Sequence, residues 1–176
     1  MRLFAALTPP ESVRDRLEAL QSGLAGRHSP PENFHVTLAF FGELDPHQAQ
    51  DLGLALEKVS AEPFEYWLDG VDVFGGARPR LAYAAVRPEP ALKALRDAVR
   101  RAGSAAGVDL PAERYTPHIT LSRSPGKADE RLKRWLAGGA RFLAGPIAAT
   151  EFGLFRSDLG KGAPVYSEIA RYQIRA

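Results

Sequence analysis

The chain has 176 residues, a length that suits one large domain or two small lobes sharing a core. Hydrophobic residues make up 45% and charged residues 25%, the ordinary balance of a soluble globular protein. A net charge of +2 leaves no broad electrostatic footprint for duplex DNA. The absence of cysteine excludes disulfides, thiolate zinc centres and cysteine nucleophiles.

The first residues, Met1 to Glu11, resemble a signal peptide only superficially, because their short apolar run is cut by Pro9-Pro10-Glu11. No stretch approaches the roughly 20 apolar residues of a membrane span. A cytoplasmic protein without a membrane partner is expected. Of the 23 basic residues 18 are arginine, whose planar fork suits phosphate, so arginines close to the functional motifs carry more weight than the total.

Leu3 to Leu7 reads as a strand. Thr8-Pro9-Pro10-Glu11 then carries a helix-start pattern, Thr8 as cap and proline in the first turn, and predicts a helix to about Gly23. Its apolar stripe is Val13, Leu17, Leu20 and Leu24. Gly26 to Asn33 reads as a polar loop, followed by a strand ending near Gly42. Asp45-Pro46-His47-Gln48 opens a second helix reaching about Ser60, with Leu52, Leu56 and Val59 inward. Phe64 to Phe74 and Leu81 to Val86 read as strands around a Gly- and Pro-containing turn, and Glu89 to Ala102 as a helix. A further strand follows Pro117, then a short helix from Asp129 to Leu136. Thr150 to Asp158 and Val165 to Ile174 read as final strands joined by Leu159-Gly160-Lys161-Gly162.

Two strands look alike, Phe34-His35-Val36-Thr37-Leu38-Ala39-Phe40 and Pro117-His118-Ile119-Thr120-Leu121-Ser122-Arg123. Chance placement of four His and five Thr gives only about 0.1 His-x-Thr occurrences. Strand alternation puts His35 and Thr37 on one face, with Val36, Leu38 and Phe40 on the other; His118 and Thr120 share a face likewise. The flanks repeat too: Phe4-Ala5-Ala6-Leu7 matches Tyr83-Ala84-Ala85-Val86, and Asp72-Val73-Phe74 is echoed by Gly153-Leu154-Phe155. The order strand, helix, His strand, helix, strand thus occurs twice with an offset near 80 residues, too long and too few for a solenoid. It predicts two similar α+β lobes related by an approximate twofold within one domain spanning 1–176, with the His strands across a cleft.

Two imidazoles with ordinary values near 6.5 suit general acid–base catalysis, one taking and one giving a proton. Thr37 and Thr120 can hold non-bridging phosphate oxygens, and Arg123 is the arginine best placed to neutralise charge there. His28 and His47 read as surface residues. No carboxylate or thiolate stands at ligand spacing with the two histidines, so no metal or other cofactor is expected. A Gly-x-Ser-x-Gly elbow is absent, and the Gly-Lys at 160–161 lacks the spacing of a phosphate loop.

These residues resemble the 2H phosphoesterases, and within them the RNA 2′,3′-cyclic phosphodiesterases historically called 2′-5′ RNA ligases. The likeness runs through Arg2 to Ala5, Pro31 to Gly42, Pro117 to Arg123, Leu154 to Ser157, Pro164 to Tyr166 and Ala170 to Tyr172. It implies two pseudo-symmetric lobes, antiparallel sheets lining a central cleft, helices on the outer faces, and metal-independent opening of a 2′,3′-cyclic phosphate at an RNA 3′ end to a 2′-phosphate. It further implies His35 as proton donor, His118 as proton acceptor, Thr37, Thr120 and Arg123 as phosphate-binding residues, and ATP-independent 2′-5′ ligation as the reverse reaction. RNA ends such as tRNA fragments are the expected partners of a monomer. Phe41 and Tyr115 are base-stacking candidates by adjacency to the motifs. Rival readings are cleavage of 2′,5′-linked oligoadenylate or small cyclic nucleotides, and an RNA-end binding module without turnover.

Overall fold

In the computed structural model, which describes residues 1–160 and 162–176, the chain opens with β1 (Arg2–Leu7) and α1 (Glu11–Leu20). The two-residue strand β2 (Arg27–His28) and one 3-10 turn (Pro31–Asn33) lead into β3 (Val36–Glu43). Then come α2 (Pro46–Leu56), β4 (Phe64–Phe74), β5 (Leu81–Val86), α3 (Pro90–Ala105) and β6 (His118–Arg123). The chain closes with α4 (Glu130–Gly139), β7 (Leu143–Ala149), β8 (Glu151–Asp158) and β9 (Val165–Gln173). Lys161, in the loop before β9, lies outside the described residues.

The helix starts obey local chemistry. Asp45 caps α2 through a capping box with Gln48, and the Asp129 side chain accepts from the Leu132 backbone N–H at the start of α4. Thr8 does not cap α1. Each of two successive prolines keeps the residue before it extended, so the helix starts only after Pro10, whose carbonyl takes the first helical bonds. Both α1 and α2 stop earlier than their periodicity suggests, at Leu20 and Leu56, and Leu24 is buried from the following loop instead.

Two strands escape the sequence pattern. β7 contains Gly145-Pro146, which breaks any strand-like reading, but it lies at the edge of its sheet beside β4 alone, where proline removes no required ladder bond. β2 has only two residues and no room for alternation; it lies in the stretch read as a polar loop.

The fold is α+β, with two antiparallel sheets ordered β3-β1-β8-β9 and β2-β6-β5-β4-β7. The duplicated halves are interleaved rather than side by side. β1, β3 and β4 form the first repeat and β5, β6 and β8 the second, yet β8 pairs with β1 while β4 pairs with β5. The helices exchange as well. Arg16, midway along α1, and Gln21, at its C-terminal end, donate to the carbonyls of Leu143 and Leu121 in the second sheet. Gly103 of α3 packs on Phe41 in the first. Each sheet therefore needs both halves of the chain, and one continuous core joins them.

Candidate active site

Both His-x-Thr motifs line one cleft of about 800 Å³, and their strands β3 and β6 are neighbours. Each motif also carries a bulge at the same place. Ala5 pairs with Ala39 and Ala6 with Thr37, leaving Leu38 unpaired; Ala82 pairs with Ser122 and Tyr83 with Thr120, leaving Leu121 unpaired. One extra residue inverts the side-chain alternation beyond it. Phe40 and Arg123 consequently face the cleft, and Ala39 and Ser122 turn inward, Ser122 being 0% exposed. Strict alternation put Phe40 on the core face; it is 52% exposed. Phe41, named as a stacking candidate, is 4% exposed and lies against α3, where a Cβ on Gly103 would come within 2.7 Å of its ring. Its ring cannot meet a ligand in the cleft.

The histidines are mounted identically. His35 Nδ1 donates to the Asn33 carbonyl at 2.7 Å and His118 Nδ1 to the Thr116 carbonyl at 2.8 Å. A carbonyl only accepts, so the Nδ1 proton is fixed and Nε2 remains the titrating atom. The rings sit in matched aromatic cages. His35 lies 4.8 Å from Phe4 and 5.3 Å from Tyr166; His118 lies 5.1 Å from Tyr83 and 5.2 Å from Phe74. Phe4 stacks on Phe155 and Tyr83 on Phe74, the residues paired by the sequence repeat. Tyr166 has no such counterpart in the repeat, and the sequence marked it only as part of the Pro164 to Tyr166 stretch of likeness.

Burial lowers the pKa of His35 to about 4 against the help of the Asn33 carbonyl, with the charges of His118 and Arg123 pushing the same way as burial. Burial also lowers His118, again opposed by its carbonyl and aided by Arg123. The two rings and Arg123 are thus close enough to feel one another. Both rings are held toward the neutral form, and an anion between them would raise both.

Tyr115 lines the same cleft and ties its walls together. Its hydroxyl donates to the Thr37 carbonyl at 3.0 Å, and its ring covers the Arg96 guanidinium at 4.4 Å. Arg2, Arg27, Arg114 and Arg123 line the cleft, and none forms an ion pair among the described residues. Glu113, the acidic lining residue, is engaged by Arg96 and Arg100. His47 is outside the cleft, while His28 stands on its rim with Nε2 donating to the Leu24 carbonyl. Among the described residues no three His, Asp, Glu or Cys side chains gather where they could hold a metal ion. No described helix is long and apolar enough to cross a membrane.

Comparison with known proteins places this geometry in context. The family model of the 2′-5′ RNA ligase superfamily matches residues 9–160. An RNA 2′,3′-cyclic phosphodiesterase of Thermus thermophilus is 32% identical over 188 residues, covering 99% of this chain and 91% of that protein. One of Bacillus subtilis is 30% identical over 149 residues, covering 82% and 78%. Among solved structures, Escherichia coli LigT complexed with 3′-AMP superposes with a TM-score of 0.80 at 25% identity, covering 98% of this chain and 97% of that one.

Proposed function

The chain belongs to the 2′-5′ RNA ligase superfamily, and from that premise we propose that it hydrolyses 2′,3′-cyclic phosphates at RNA 3′ ends to 2′-phosphates. The observation that carries the reading is the pair of caged imidazoles in one cleft, each with Nδ1 held by a backbone carbonyl and Nε2 left for chemistry. One Nε2 takes a proton from water as its oxygen bonds to phosphorus. The other gives a proton to the 3′ oxygen as the P–O3′ bond breaks. Each transfer contributes typically about 10²–10⁴-fold. Thr37 and Thr120 donate to the non-bridging oxygens, and Arg123 offsets the charge that builds on them. Replacing water by a 5′-hydroxyl gives 2′-5′ ligation through the same proton transfers, without ATP.

Resemblance assigns His35 as donor and His118 as acceptor. Burial lowers both imidazoles, and the donor role requires that the anionic substrate beside His35 raise it enough to carry the proton that goes to the leaving oxygen. The bulges divide the remaining labour: one repeat contributes the cation Arg123, and the other contributes the exposed ring of Phe40 at the equivalent position. Phe40 is the aromatic placed to stack on a base, and Tyr115 braces the wall.

The test is turnover of an oligonucleotide ending in 2′,3′-cyclic phosphate in excess EDTA, with product identification. Expected are a 2′-phosphate and loss of turnover in both His35→Ala and His118→Ala. A substrate with sulfur in place of the bridging 3′ oxygen, whose thiolate leaves unprotonated, should rescue His35→Ala only. Loss of activity in EDTA, or full activity in both variants, would overturn the reading. Binding of the cyclic phosphate without any product would establish a binding module instead.

A further inference from the structure

Arg27 and Arg123 are direct partners across the β2–β6 ladder, both exposed and both on the cleft wall. Like charges directly opposite on neighbouring strands destabilise a sheet. Neither has an ion-pair partner among the described residues, and the acidic lining residue Glu113 is occupied by Arg96 and Arg100.

This juxtaposition is built, not a loose end of chain. Gln21 is 5% exposed, and its Nε2 donates at 2.8 Å to the carbonyls of both Ser29 and Leu121. The buried Ser122 hydroxyl donates to the Ala25 carbonyl at 2.7 Å, and the Ser29 N–H donates to Leu121 at 2.9 Å. Gly26, at φ +90°, passes so close to β6 that a Cβ there would lie 2.5 Å from the carbonyl oxygens of Arg123 and Ser124. Buried hydrogen bonds and a required glycine thus hold residues 21–29 against β6, and the outcome is two unneutralised cations side by side. An anion is the missing partner.

Building on the function proposed above, we infer that Arg27 forms a second anion site, which takes the backbone phosphodiester next to the reacting phosphate. Arg123 reaches toward the histidines, as its effect on both imidazoles requires. Arg27, one strand farther out by about 4.8 Å, stands where the nucleotide chain leaves the cleft along the β2 edge. The preferred substrate is therefore an oligonucleotide and not a cyclic mononucleotide.

Three substrates test this: a cyclic mononucleotide, a dinucleotide ending in cyclic phosphate, and that dinucleotide with an uncharged methylphosphonate linkage. The parent enzyme should favour the charged dinucleotide in kcat/KM by about tenfold or more, the range of a charge-assisted hydrogen bond. Arg27→Ala should bring the dinucleotide-to-mononucleotide ratio toward that of the methylphosphonate. Arg134→Ala, which removes an exposed charge on α4, should keep the parent ratio. Equal losses on mononucleotide and dinucleotide would place Arg27 on the reacting phosphate and overturn the inference. An unchanged ratio in Arg27→Ala would also overturn it. A parent enzyme that turns over both substrates without preference refutes the second site alone, whereas no turnover of any substrate refutes the proposed reaction and the inference with it.

Discussion

Replacing the adjacent phenylalanines one at a time separates core from cleft. Phe41 is 4% exposed with its ring against the α3 backbone at Gly103, so Phe41→Ala leaves a cavity that neither β3 nor α3 can close. The expected loss is about 3–5 kcal/mol, which lowers Tm by about 6–20 °C for a chain of this size. Phe40 is 52% exposed and touches Phe4 at a ring-centroid distance of 5.5 Å. Phe40→Ala should cost under about 1 kcal/mol of stability. Loss of one stacked base, worth about 1–3 kcal/mol, should raise KM about five- to 150-fold while kcat changes little. Urea denaturation measures the first effect, and steady-state kinetics on a cyclic-phosphate dinucleotide the second. The reasoning fails if Phe40→Ala destabilises as much as Phe41→Ala, or if KM is unmoved in Phe40→Ala yet rises in folded Phe41→Ala.

Three further outcomes are expected. His35 is near 6.5 unfolded and about 4 folded, so the unfolded chain binds the extra proton between those values; stability is complete above pH 6.5 and falls by about 3 kcal/mol as pH drops through 4. Urea titrations from pH 7 to 4 read this slope, and His35→Gln should flatten it. Because catalysis needs one proton on the pair, and both free-enzyme values lie below 6.5, kcat/KM should fall toward tenfold per pH unit on the alkaline side of a break below 6.5; a flat profile to pH 8 would contradict the acid–base pair. Tyr115→Phe removes the hydroxyl that bonds the Thr37 carbonyl but keeps the ring over Arg96. A stability loss of about 1 kcal/mol is expected, with kcat reduced more than KM is raised, and an unchanged kcat would show that the hydroxyl does not position the His35 strand.

Much of the site was legible because it is local. His and Thr two apart on a strand share a face whatever the rest of the chain does, and the duplication made both copies visible. The aromatic cage was half legible: the matches of Phe4 with Tyr83 and of Phe74 with Phe155 name rings that pack beside the two histidines or against their neighbours. The place of Tyr166 beside His35 and that of Arg27 beside Arg123 were not legible, since each reaches the cleft by pairing across a sheet. Phe41 was singled out and Phe40, the ring that reaches the cleft, was not, because a bulge leaves no mark in hydrophobic alternation. Leu38 and Leu121 suit a regular strand as well as a bulged one.

What the sequence by itself determined is most of the elements, β2 and β7 excepted, and the identity of the two His-x-Thr devices, which depend on short-range periodicity, capping and repetition. What only the tertiary structure decided is how they are put together. β4 and β8 exchange sheets, so neither half of the chain builds its own lobe. Equivalent bulges carry Arg123 and Phe40 into the cleft, and through them an internally symmetric chain acquires an asymmetric site. Strand partners are chosen by long-range packing, and many pairings satisfy the same hydrophobic pattern. The pairing, not the pattern, determines which face each side chain finally occupies.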